Sequence, residues 1–169
     1  MDPGFERWLP PVYAYFRRRV ADDETAEDLT SETFERILRA LPRFSPRGDV
    51  ERATRVWVYR IAGNVYKNTL RRWGRRGAHD AALAEGAPAA VEERAGLEHA
   101  LMVRRAMAAL EAGDRDILTL RYWDGLTARE IAEVVGMAQR EVYTALERCH
   151  RQLRRTLGAP ESEVDDAVN

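Results

Sequence analysis

Between Arg55 and Arg76 the chain carries seven basic residues (Arg55, Arg60, Lys67, Arg71, Arg72, Arg75 and Arg76) and no acidic one, interleaved with Trp57, Tyr59, Tyr66 and Trp73. Cationic side chains contact phosphates and aromatic rings stack on unpaired bases, so this combination suits a nucleic-acid strand taken out of its duplex. Trp57 and Tyr59 are equally suited to a core. Acids gather elsewhere: Asp22, Asp23, Glu24, Glu27, Asp28, Glu32 and Glu35 all precede the next base, Arg36. Nothing accompanies these arrays that would support catalysis. There is no glycine-rich phosphate loop and no nucleophile with a histidine partner, and Cys149 with His79, His99 and His150 has no metal-ligand spacing. No enzyme activity, metal or cofactor is expected.

The elements that must position these groups are helical. Apolar residues recur at spacings of three and four, and no stretch alternates in the manner of a strand. In the acidic segment Ala26, Leu29, Thr33, Ile37 and Leu41 share one helical face, with Phe34 and Leu38 beside them, and are expected to pack inward. Asp28, Glu32, Glu35 and Arg39 line the opposite stripe, either as a solvated face or as a docking surface for a basic partner. A first helix is expected around Val12 to Val20. After the loop PRFSPRGDVERA, the basic segment turns Val58, Ile61, Ala62 and Val65 to the core.

From Gly77 to Ala95 the composition shifts to GAHDAALAEGAPAAVEERA, which offers little to bury and breaks a long helix at Gly86 and Pro88. The 169 residues are therefore expected to form an all-α protein of two small helical domains, 1–76 and 96–158, joined by a flexible linker at 77–95 and ending in an acidic tail at 159–169. The net charge of −1 conceals strong segregation of the 33% charged residues. The chain opens MDPGFERW, and no apolar run approaches the roughly 20 residues that span a bilayer, so neither export nor membrane insertion is indicated and a reducing cytoplasm is expected.

In the C-terminal part, Thr127 and Glu130 fit a capping box that starts a helix at Ala128, and Gly136 supplies a left-handed stop. Ile131, Ala132 and Val135 face inward, as do Val142, Leu146, Cys149 and Leu153 of the next helix. Gln139, Arg140, Tyr143, Thr144, Glu147, Arg148 and Arg151 are left outside. This frame is either a helix-turn-helix, whose second helix enters the major groove, or a plain helical hairpin with a charged face.

The order of features, acidic helix, loop, aromatic and basic helix, weak linker, helix-turn-helix, resembles that of the bacterial RNA polymerase sigma factors of the extracytoplasmic-function group. The segments AEDLTSETFERILRALPRF, RVWVYRIAGNVYKNTLRR and AMAALEAGDRDILTLRYWDGLTAREIAEVVG carry the resemblance. It implies core RNA polymerase, promoter DNA and an anti-sigma factor as partners. Asp28 and Glu32, with Glu35 on the same stripe, would dock on the clamp coiled coil of the polymerase large subunit. The basic helix would bind the minus-ten element, with Arg60 and Asn64 near the bases, Lys67 and Asn68 on the same surface, and Arg71, Arg72, Arg75 and Arg76 on phosphates. The loop before it would hold a base flipped from the non-template strand. The helix-turn-helix would read the minus-thirty-five element through Arg140, Tyr143, Thr144 and Arg148, flanked by Gln139 and Arg151, while its domain rests on the polymerase flap.

Two departures from the family pattern stand out. Asn68 replaces a usual aspartate, and Ala138, Arg140 and Glu141 replace the usual small and hydroxylated residues at the start of the recognition helix. An alanine at that N-cap leaves amides without a side-chain acceptor, at about 1 kcal/mol. The competing reading is a stand-alone helix-turn-helix regulator that binds a palindrome as a dimer, which would need neither the acidic helix nor the aromatic basic one.

Overall fold

The computed structural model describes residues 4–75 and 97–158. Within them lie seven α-helices: α1 (Leu9–Arg17), α2 (Asp23–Ala40), α3 (Val50–Arg75), α4 (Leu97–Ala108), α5 (Ala112–Tyr122), α6 (Ala128–Val135) and α7 (Gln139–Leu157). The expected linker at 77–95, the tail at 159–169 and Arg76 lie outside the described residues. No helix among the described residues is long and apolar enough to cross a membrane.

Local chemistry sets the helix starts. Pro10 lies in the first turn of α1, where its missing N–H has no acceptor to lose. Asp22 caps α2, its carboxylate accepting the Thr25 amide at 2.7 Å and the Thr25 hydroxyl at 2.8 Å. The Thr25 amide, first among these contacts, holds the Asp22 carboxyl below the usual carboxylate range. Asp49 caps α3, accepting the Arg52 amide at 3.1 Å. The first helix runs Leu9–Arg17 rather than around Val12 to Val20, although turn bonds such as Val20 N–H to Phe16 C=O extend its path.

Val12, Tyr15 and Phe16 of α1, Ala26, Leu29 and Ile37 of α2, and Val58, Ala62 and Val65 of α3 form the N-terminal core. Met107, Leu110, Ile117, Leu118, Leu120, Leu126, Ile131, Val142, Leu146 and Cys149 form the C-terminal one. Leu38, expected to pack inward, is 48% exposed. Leu38 lies beside the main buried face of α2, which Ile37 and Thr33 fill. The halves do not stand apart: α6 of the helix-turn-helix packs along α3, and both cores belong to one cluster.

Candidate nucleic-acid interface

The buried face of α3 includes Val58, Ala62, Val65 and Thr69, spaced by three and four, so Arg60, Asn64, Lys67 and Arg71 fall together on an exposed stripe. Asn68 is half-buried beside it and accepts from Arg71 Nη1 at 3.4 Å. Arg72 is exposed but tethered, donating to Thr69 Oγ1 at 2.7 Å and to Glu32 Oε2 at 3.2 Å. Arg75 closes the helix. Arg60 is likewise engaged, its Nε and Nη2 donating to the Glu133 carbonyl at 3.2 and 2.8 Å.

The aromatic rings are committed to packing more than their spacing suggests. Trp57 is stacked on Phe44 at 4.1 Å with Phe5 at its edge, so packing already takes one face of a ring that was equally suited to stacking and to a core. Tyr59 is buried against the Tyr15 ring, and its hydroxyl donates to Asp124 at 3.3 Å. Tyr66 is half-buried, its hydroxyl donating to the Arg19 carbonyl at 3.2 Å. Burial pushes both phenols above their ordinary value. Of the four rings, Tyr59 belongs to the core.

On α2, Asp28 and Glu35 are exposed and Glu32 is half-buried. Glu35 pairs with Arg39 at 3.1 Å and Glu32 with Arg36 at 2.6 Å, each one turn apart. Glu32 also reaches Arg72, so the acidic stripe and the basic helix touch at this residue.

The helix-turn-helix frame forms as its residues dictate. The Thr127 hydroxyl accepts the Glu130 amide at 3.3 Å while Glu130 Oε2 accepts the Thr127 amide at 2.8 Å. Burial pushes the Glu130 carboxyl up, but the Thr127 amide and hydroxyl and the Arg55 guanidinium outweigh it and hold the group below its ordinary value. Gly136 stops α6 with φ of 78°, a conformation that costs glycine nothing. On α7, Val142, Ala145, Leu146 and Cys149 are buried and Gln139, Arg140, Tyr143, Thr144 and Arg151 are exposed. Burial raises the Cys149 thiol to about 11, as befits a core residue.

Two features within the C-terminal half escape the sequence. Arg148 does not extend freely outward. Its Nε and Nη2 clamp the carboxylate of buried Asp114 at 2.6 and 2.5 Å, tying α7 to α5. Glu141 completes half of a capping box, its Oε2 accepting the Ala138 amide at 2.7 Å, but Ala138 itself caps nothing. The substitution Ala138→Ser is expected to stabilise the chain by about 1 kcal/mol by supplying the missing acceptor, read as a raised urea midpoint with an unchanged slope.

A third feature lies between the halves. Asp124, with 1% of its side chain exposed, receives Arg18 in a close ion pair and lies 4.0 Å from Arg19. Arg19, itself buried, bonds Asp116 at 2.8 and 2.6 Å and lies over the Tyr15 ring at 3.6 Å. Pairs separated by about a hundred residues carry no periodic signal, so composition alone could not bring them together.

Family models for Sigma-70 region 2 and Sigma-70, region 4 match residues 5–76 and 100–153. The chain is 31% identical over 159 residues to the ECF RNA polymerase sigma factor BldN of Streptomyces coelicolor, covering 90% of this chain and 58% of that protein. It is 35% identical over 153 residues to the RNA polymerase sigma-H factor of Pseudomonas aeruginosa, covering 81% and 77%. With SigL of Mycobacterium tuberculosis it shares 30% identity over 149 residues, covering 86% and 82%. In fold it is similar to the sigma factor RpoE solved with the anti-sigma factor NepR from Bartonella quintana, with a TM-score of 0.72, 18% identity and coverage of 94% and 96%. It is also similar in fold to CnrH solved with the cytosolic domain of CnrY, with a TM-score of 0.64, 21% identity and coverage of 94% and 86%. Matched in both halves, and related along most of its length to named sigma factors, the chain belongs to the sigma-70 family as an extracytoplasmic-function sigma factor that directs RNA polymerase to promoters.

Proposed function

We propose that the chain is a dissociable specificity subunit acting in the cytoplasm, which brings core polymerase to promoters and helps to open them without doing chemistry itself. Residues 1–76 dock on the polymerase through Asp28, Glu32 and Glu35 and bind the minus-ten element through the α3 stripe of Arg60, Asn64, Lys67, Asn68, Arg71 and Arg72, continued by Arg75 and Arg76. Residues 96–158 read the minus-thirty-five element through Gln139, Arg140, Tyr143 and Thr144, with Arg151 on the backbone and Arg148 positioning α7 through Asp114. The groove lined by Val103, Met107, Leu118, Tyr122 and Leu153 is the apolar surface available to the polymerase flap. An anti-sigma factor is a further partner, in keeping with the fold shared with the sigma factor RpoE, solved with the anti-sigma factor NepR.

The observation that supports this reading is the presence on one chain of two separate exposed arrays of basic and polar side chains, the α3 stripe and the start of α7. A groove-reading regulator needs only the second. Transcription reconstituted with core polymerase on a genomic library tests it: specific initiation is expected only when both are present, and tight binding of a palindrome by the chain alone would overturn the proposal. In the same assay Asp28→Lys is expected to weaken polymerase binding about fivefold, since an exposed ion pair carries up to roughly 1 kcal/mol and reversal adds repulsion to its loss. Asp28 is the cleaner site because reversing Glu32 would also release Arg72.

A further inference from the structure

A cavity of about 260 Å³ lies where the two halves meet, walled by Arg18, Arg19, Tyr66, Lys67 and Leu70 from one half and by Arg115 and the start of α5 from the other. Four of its side chains are cationic and one, Asp116, is acidic. That acid is already engaged, because Arg19 donates to it twice, at 2.8 and 2.6 Å. Arg18 is matched by Asp124. Lys67 and Arg115 remain, and neither pairs with a carboxylate among the described residues. Arg115 Nη2 bonds the Ala108 and Leu110 carbonyls, at 3.3 and 2.9 Å, which leaves its charge uncompensated. The wall also holds more donors than its own acceptors satisfy, since Arg18 Nε and Arg115 Nε are buried without a hydrogen bond.

The rest of the wall narrows the chemistry of what would fit. Ala112 and Gly113, the first two residues of α5, border the cavity, and Glu111 at the N-cap makes no side-chain bond to that turn. Its amides and the positive end of the helix therefore add to the attraction for an anion. The next acid on α5, Asp114, is turned to α7, where Arg148 clamps it. Tyr66 and Leu70 supply an apolar side. The Tyr66 hydroxyl is held by the Arg19 carbonyl at 3.2 Å, and the Thr119 hydroxyl turns back to the Arg115 carbonyl at 2.7 Å, so both groups are fixed before anything binds. The volume falls just below the range of roughly 300–1,000 Å³ usual for ligand pockets, which sets the occupant at a small molecule.

We propose that this cavity binds a nucleoside monophosphate, its phosphate between Lys67, Arg115 and the first turn of α5, and its base against Tyr66 and Leu70. A phosphate ester supplies the anionic oxygens that an ammonium, a guanidinium and free amides accept, and a flat base covers an aromatic and apolar wall without asking for further charge. A carboxylate metabolite would satisfy the cations less fully, and a bare anion would leave the apolar side empty. The site shares only Lys67 with the exposed stripe of α3, and it does not depend on the reading of that stripe as promoter-binding.

The test is calorimetric titration of the purified full chain with AMP, adenosine and inorganic phosphate, in the absence of polymerase and promoter. AMP is expected to bind, adenosine not to bind, and inorganic phosphate to bind about tenfold more weakly than AMP for want of the stacked base. Lys67→Met is expected to weaken AMP about tenfold by removing a charge-assisted hydrogen bond. Arg71→Met removes the same charge one turn along α3 and outside the cavity, and is expected to cost less than about twofold. No atom lies within 4 Å of the place a Gly113 Cβ would take, so Gly113→Leu puts a side chain into open space at the wall. It is expected to abolish AMP binding without lowering the melting temperature, because leucine favours a helix over glycine. Absence of AMP binding would overturn the proposal, as would equal losses in Lys67→Met and Arg71→Met, or unchanged affinity in both Lys67→Met and Gly113→Leu. Inorganic phosphate binding as tightly as AMP would overturn the nucleotide assignment. A random-sequence single-stranded 20-mer that binds the wild type but not Gly113→Leu, with AMP binding neither, would instead give the cavity to a DNA strand.

Discussion

Ile131→Ala is expected to destabilise the C-terminal half by about 2–5 kcal/mol, the usual cost of removing a buried branched side chain and leaving a cavity. Ile131 is fully buried in α6, the helix packed on α7 within the helix-turn-helix and on α3 across the halves. Its loss therefore weakens both contacts. A unit this small buries a modest fraction of its surface and has little stability in reserve. For domains of this size each kcal/mol lowers the melting temperature by roughly 4–8 °C, so a fall of at least about 8 °C is expected. Ile131→Val, which keeps most of the volume, is expected to cost only about 0.5–1.5 kcal/mol. Calorimetry on both variants gives the comparison, and equal melting temperatures would mean that α6 is not held by its core face. Initiation on promoters that depend on the minus-thirty-five element is expected to fall with the stability of Ile131→Ala.

The frame that Ile131 supports was legible because its signals are local. Thr127, Glu130 and Gly136 each act within one helical turn, and the bonds they form are those their types dictate. The α3 stripe was legible for the same reason, since Val58, Ala62 and Val65 fix by their spacing which residues face out. What escaped were contacts between distant residues. Nothing near Arg148 in the chain marks Asp114 as its partner, and nothing near Arg55 marks Glu130. The pattern that identified Glu130 as a capping residue accounts for Oε2 but leaves Oε1 free, and Oε1 is the atom that Arg55 takes. The aromatic rings illustrate the converse limit. Spacing placed Trp57 and Tyr59 on the helix, but only the positions of Phe44 and Asp124 decide that one is covered and the other buried.

The second large effect is expected at Lys67 and Arg71, both exposed on α3. If both bind phosphate, replacing them with alanine removes two counterion-releasing contacts. The slope of log affinity against log salt for promoter binding by the assembled polymerase should become shallower by about 1.8, from about 0.9 for each contact. Between 50 and 200 mM salt, a fourfold change, the advantage of the wild type over the double variant should then shrink about twelvefold. A structural role predicts something different. Had the substitutions merely loosened α3, affinity would fall by a similar factor at every salt concentration and the slope would hold. The helix gives little reason for such loosening, because its buried face lies opposite and the Asn68 bond to Arg71 is long, at 3.4 Å. Arg72 is a poorer choice for this measurement. It binds Thr69 and Glu32 as well, so its loss would disturb the acidic stripe that is proposed to face the polymerase. An unchanged slope in the Lys67 and Arg71 double variant would remove both residues from the surface proposed to bind promoter phosphates.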